Sequence, residues 1–152
     1  ATDIADKLTA EPGMPAAAKA LPDAERIPNG VMFYPKDLLG VANAGPGAVG
    51  YYKEASGKRY RLLASTPGRA DRAKDVIRAL RAKPGALPVA GLGDEAVDVV
   101  LQPTPERAKI EWIVARKGDE VLGIGDEEFT ADTPAGRLPK PEKTDKLRSL
   151  LH

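Results

Sequence analysis

The strongest period in the chain is helical. In "STPGRADRAKDVIRALRAK" (Ser65–Lys83), Ala70, Ala73, Val76, Ile77 and Leu80 recur at steps of three and four. That spacing places them on one stripe of an amphipathic helix. Thr66 stands at a suitable N-cap with Pro67 at the first helical position, and Lys83-Pro84-Gly85 supplies the stop. Around this segment the period is two. In "KRYRLLAS" (Lys58–Ser65) Tyr60, Leu62 and Ala64 share one face, and Arg59 and Arg61 the other. "AVGYYKE" (Ala48–Glu54) precedes it across Ala55-Ser56-Gly57, a short Gly-containing loop that predicts a hairpin.

Three more strands are predicted after the helix. "EAVDVVLQ" (Glu95–Gln102) turns Val97, Val99 and Leu101 inward. "KIEWIVARK" (Lys109–Lys117) is apolar on both faces through Trp112, Ile113, Val114 and Ala115, as a central strand is. "EVLGIG" (Glu120–Gly125) follows after Gly118-Asp119, a two-residue turn that makes the pair an antiparallel hairpin. A final helix, "EKTDKLRSLL", gathers Leu147, Leu150 and Leu151 on one edge. The expected fold is α+β: an antiparallel sheet of about five strands, with the main amphipathic helix and a C-terminal helix packed on one face.

Prolines interrupt the first thirty residues, so residues 1–30 read as an arm holding short helical pieces at most, and 31–152 as one α+β domain. "PKDLLG" (Pro35–Gly40) reads as a single helical turn. "ANAGPGAVG" (Ala42–Gly50) looks like a phosphate-binding loop, but a strand follows it where that loop needs Gly-Lys-Ser/Thr and a helix. It reads as a loop entering a strand.

Composition narrows the chemistry. The chain has no cysteine, which removes disulfides, thiolate metal sites and cysteine nucleophiles. Its one histidine is the last residue, His152, so serine–histidine catalysis lacks a base. With little catalytic inventory, the expected function is non-catalytic binding. A net charge of +1 argues against general attraction to nucleic acid or membrane, and no apolar run approaches the roughly 18 residues of a membrane span. The charge is nevertheless segregated. Lys53–Lys83 carries ten Lys/Arg against three Asp/Glu, and Gly91–Asp132 carries four against eleven. Arg59, Arg61, Arg69 and Arg72, with Tyr52 from the hairpin, are therefore candidates to meet a protein or a small anionic ligand. The plainer alternative is that the two segments neutralise each other.

Two stretches nearly repeat: "GLGDEAV" (Gly91–Val97) and "GIGDEEF" (Gly123–Phe129). Asp94, Glu95, Asp126, Glu127 and Glu128 offer hard oxygen ligands, and a calcium site would form if the two turns met. That is the alternative function, a divalent-metal-dependent module or enzyme. The spacing is not that of a calcium loop, so the other reading is two similar turns whose glycines relax the backbone at sheet ends.

The succession "RIPNGVMFYPKDLLGVANAGPGAVGYY", "RYRLLAS", "ALPVAGLGDEAV" and "ARKGDEVLGIGDEEF", from Ile27 to Phe129 in its main part, resembles an uncharacterised bacterial family with a Gly-Asp-Glu-Ala turn between strands. The resemblance implies an exported protein and an extracytoplasmic (periplasmic or secreted) location. It implies no cofactor and transfers no catalytic residue.

Overall fold

A computed structural model describes residue 21 and residues 25–34, 47–65, 70–102, 105–106, 109–127 and 136–151. Seven strands and two helices follow in the order β1 (Arg26–Tyr34), β2 (Gly47–Lys53), β3 (Arg59–Ser65), α1 (Ala70–Arg81), β4 (Leu87–Pro88), β5 (Glu95–Leu101), β6 (Ile110–Lys117), β7 (Glu120–Gly125) and α2 (Lys140–Leu150). The strands form one sheet, ordered β1-β2-β3-β7-β6-β5-β4, with every neighbouring pair antiparallel. The α+β class and antiparallel sheet agree with the sequence pattern.

Both predicted hairpins close where expected. Gly57, at φ +95°, turns β2 into β3, and the amide of Glu54 donates to the carbonyl of Lys58. Gly118, at φ +61°, turns β6 into β7, with Lys117 opposite Glu120. Helix α1 buries Ala73, Val76, Ile77 and Leu80, four of the five stripe residues. The proposed cap at Thr66–Pro67, the helical pieces before Leu21 and the turn at Pro35–Gly40 lie outside the described residues.

Three expectations are corrected. The sheet has seven strands rather than about five. Strand β1 takes in Arg26–Gly30, assigned to the arm, with a register shift between Arg26 and Val31 that accommodates the Pro-Asn-Gly segment. Strand β4 is a two-residue edge too short to show a period.

The helices also do not share a face. On one face α1 packs with Val49, Leu63, Val97, Val99, Trp112 and Val114. On the other, Leu147 of α2 joins Ala48, Tyr60, Leu62, Ile113, Leu122 and Ile124. The central strands β7 and β6 are apolar on both faces, and β3 adds Leu63 to the α1 side, so each face needs its own cover.

The repeated motif resolves into two unlike devices. In the first copy Gly91 and Gly93 have φ of +77° and +55°, and a Cβ at Gly93 would lie 2.5 Å from the Arg116 carbonyl oxygen. This is a turn that side chains do not tolerate. In the second copy Gly123 and Gly125 are ordinary strand residues of β7. There glycine is needed for room: a Cβ on Gly123 would meet Leu63 at 2.9 Å, and one on Gly125 would lie 2.4 Å from the Trp112 indole. Sequence likeness between the copies conceals different physical causes.

Candidate functional site

The two Asp-Glu pairs lie at opposite ends of the sheet. Strands β5 and β7 both pair with β6 and run parallel to each other, so Glu95 opposes Arg116 at one end and Gly125 opposes Trp112 towards the other. Arg116 binds the first pair, with Nε donating to Glu95 at 2.7 Å and Nη1 to Asp94 at 3.3 Å. A cation site shared by Asp94, Glu95, Asp126 and Glu127 is not formed. Among the described residues no three Asp, Glu or His side chains are grouped to hold a metal ion. Glu128 lies outside the described residues.

The second pair belongs to a different assembly. Asp98 sits between Val97 and Val99 in β5, so its side chain points to the face opposite theirs, the one under α2. Glu111 occupies the corresponding face of β6, and Asp126 continues that face beyond β7. Three carboxyl groups thus lie on the face that α2 covers. The helix answers with Lys140, Lys143 and, one turn further, Lys146, a stripe at i, i+3 and i+6. Lys140 pairs with the buried Asp98. Lys143 is itself only 1% exposed and reaches Glu111 Oε1 at 2.8 Å and Asp126 Oδ1 at 3.2 Å. Lys146 reaches Glu25 at 3.2 Å and Glu54 at 2.9 Å, and stands over the Tyr60 ring. Of the helix residues only Leu147 and Leu150 join the apolar core, so the position of α2 also depends on these ion pairs staying whole.

Burial sets the protonation pattern. It pushes Asp98 above the ordinary carboxylate range, against the pull of Lys140. Burial also works to raise Glu111. There, hydrogen bonds from Lys143 and Asp98 and the charges of Lys143 and Lys140 outweigh it and hold the group below its usual range. Burial raises Asp126 against Lys143 and Arg137. Its Oδ2 accepts no hydrogen bond among the described residues, and Arg137 Nη1 stands 3.9 Å away.

Beside this network lies a cleft of about 320 Å3, lined by Glu111, Arg137, Leu138, Pro139, Lys140 and Lys143. The first turn of α2 opens onto it. No side chain caps that turn, and Pro139 and Pro141 flank its first residue. Arg137 and Lys140 are 42% and 49% exposed, so both stand at the rim of the cleft.

The residues singled out from sequence for partner binding are placed differently. Arg59 and Arg61 share the α1 face of the sheet as the alternation required, partly buried, and each has a partner within the fold. Arg61 donates to the Asp126 carbonyl at 2.9 Å and lies over Trp112 at 4.9 Å, and Arg59 faces the buried Glu127 at 4.0 Å. Tyr52 is fully buried and stacked on Tyr60, with ring centroids 5.2 Å apart; Tyr51 is the partly exposed member of the pair. Arg72 is exposed on α1, and Arg69 lies outside the described residues. Segregated charge meets across the fold in Arg81–Glu95 at 3.5 Å, yet most of the buried acids find their partners on α2.

Sequence reasoning passed over Asp98, Glu111, Lys140, Lys143 and Arg137. Two signals were present: a carboxylate amid the apolar run of each of two strands, and the three-residue spacing of lysines in the last helix.

No helix among the described residues is long and apolar enough to cross a membrane. No protein-family model, curated protein or solved structure matches the chain.

Proposed function

We propose that this chain is a non-catalytic binding domain that takes a small ligand by its carboxylate or phosphate group in the cleft at the start of α2. The observation that carries the reading is the convergence of Arg137, Lys140 and Lys143 on that one cleft. A guanidinium fork and an ammonium beside a helix N-terminus form a favourable setting for an oxyanion. The volume stands at the lower end of small-molecule sites and suits a compact acid rather than a polymer.

The lining contains no serine, cysteine or histidine, and its one carboxylate, Glu111, is already engaged by Lys143. A nucleophile with a poised base is missing from that lining, which favours binding over turnover. Resemblance to exported bacterial proteins supports an extracytoplasmic setting for this binding, and fractionation of cells expressing the native gene tests it.

Thermal melts in sulfate, phosphate, citrate and succinate, each against chloride at equal ionic strength, test the reading. One or more of these anions is expected to raise Tm in the wild type, since a ligand at a hundred times its Kd adds about 2.7 kcal/mol. Arg137→Ala is expected to lose most of that rise. An equal rise in wild type and variant would mean a general salt effect and overturn the assignment.

A further inference from the structure

We propose that the ligand of this cleft is a free single-chain aliphatic acid, with its carboxylate at the start of α2 and its hydrocarbon tail laid over Leu87 and Val100. The inference rests on the binding reading above and adds the class of ligand.

Leu87 and Val100 are the large apolar side chains left open to solvent among the described residues, 57% and 48% exposed. Exposed apolar residues scattered singly are ordinary, but these two are neighbours. Leu87 of β4 lies directly opposite Asp98, and Val100 stands two residues beyond Asp98 in β5. Both therefore share the face of Asp98, the one that α2 covers. Val89, two residues past Leu87, packs with the core on that same side.

This apolar strip begins where the cleft ends. Val100 is directly opposite Glu111, which lines the cleft. Lys140 joins the two parts: it lines the cleft, and its ammonium pairs with Asp98, the residue flanked by Leu87 and Val100. Its butyl stem adds apolar surface between head and tail. From Glu111 on β6 to Leu87 on β4 is two strand spacings, roughly 10 Å. An extended chain of about eight carbons, with C–C bonds of about 1.5 Å, covers that span. Two side chains fall well short of the roughly 800 Å2 that each partner of a stable protein interface buries, so the strip suits a free amphiphile rather than a protein. A net charge of +1 gives no general pull towards an anionic bilayer.

Calorimetry at neutral pH with butanoate, hexanoate, octanoate and decanoate, each kept monomeric, tests the inference. Full burial of a methylene is worth about fourfold in affinity, so a chain covered on one side is expected to tighten Kd by about twofold per methylene in the wild type. The gain is expected to level off beyond octanoate, where the chain passes the sheet edge. Leu87→Thr with Val100→Thr, exposed changes that suit a strand, is expected to flatten the series until octanoate binds no more tightly than butanoate. A wild-type series flat in chain length, with sulfate still bound, overturns the tail and leaves the anion site standing. The wild-type slope persisting in the double variant also overturns it. No binding of sulfate or of any of the acids overturns this inference and the binding reading together. Binding to phosphatidylglycerol vesicles without binding of monomeric octanoate assigns the strip to a bilayer surface and overturns the proposal. The wild-type series decides the matter even if the double variant does not fold.

Discussion

Replacing Lys143 by Met isolates the charge that seats α2. The unbranched thioether fills much of the space of the lysine stem, so the change removes an ammonium with little loss of packing. It leaves Glu111, held at 2.8 Å in the native chain, and Asp126, held at 3.2 Å and fully buried, without their central cation. Removing one partner of a buried ion pair costs about 3–5 kcal/mol, a large part of the 5–15 kcal/mol that a typical domain possesses. At about 2–4 °C per kcal/mol for a domain of this size, the expected fall in Tm is about 6–20 °C. Urea denaturation followed by tryptophan fluorescence reports it, because Trp112 lies in the central strand β6.

The pH dependence has a definite sign. In the variant both carboxylates are pushed upward, so the penalty is greatest at neutral pH and shrinks as acid protonates them. Asp126→Asn added to Lys143→Met is expected to recover about half of the loss by removing one orphaned charge. A loss below about 1 kcal/mol for Lys143→Met, or no recovery in the double variant, would refute the claim that this network holds the helix.

Other expectations follow from single features. Gly125→Ala places a methyl against the Trp112 indole and is expected to cost about 1–3 kcal/mol in urea, comparable with Gly93→Ala and larger than Gly57→Ala, where nothing lies within 4 Å and only the positive φ is strained. Lys140 is raised by its hydrogen bond to Asp98. Lys146, which burial would lower, is raised by its hydrogen bonds to Glu54 and Glu25. The stability they contribute is complete below about pH 10.5 and is lost as pH rises through their folded values, so alkaline urea midpoints should fall earlier in the wild type than in Lys140→Met with Lys146→Met. Burial raises Glu127 against Arg59 and Arg61, so its ionisation works against the fold as pH rises above its usual range. Glu127→Gln should therefore gain relative to wild type as pH rises above about 4.5 in the same assay.

How much of this could be read in advance depends on which interaction sets each element. Helix α1 and the two hairpins rest on local signals: an apolar stripe, period-two alternation, and glycines at φ +95° and +61° in the turns. Strand β1 was hidden because Pro28, Asn29 and Gly30 read as loop; the strand pairs with β2 at Arg26 and from Val31 on, and takes that segment up in a register shift. The opposite placement of the helices was implied by Trp112, Ile113, Val114 and Ala115, which demand cover on both sides of β6, but the weakly apolar second helix gave little reason to assign it a face of its own.

The candidate site is legible only in retrospect. Treating Val97, Val99 and Leu101 as the inward residues consigns Asp98 to solvent, and it is buried instead because α2 covers the second face. Asp126 and Glu127 drew notice through a motif whose metal geometry depended on Asp94 and Glu95 being near, and the sheet separates them by the length of β7. Which carboxylates gather is a matter of strand register and helix placement, and neither is encoded in spacing along the chain.

The central claim is that the start of α2, rather than the arginines of β3 and α1, meets the ligand. Amide shifts in a two-dimensional NMR titration with inorganic sulfate test it most directly. The account expects the largest shifts at Arg137–Lys143 and Glu111, with Arg59, Arg61 and Arg72 nearly still. Shifts concentrated on β3 and α1, with the start of α2 unmoved, would contradict it.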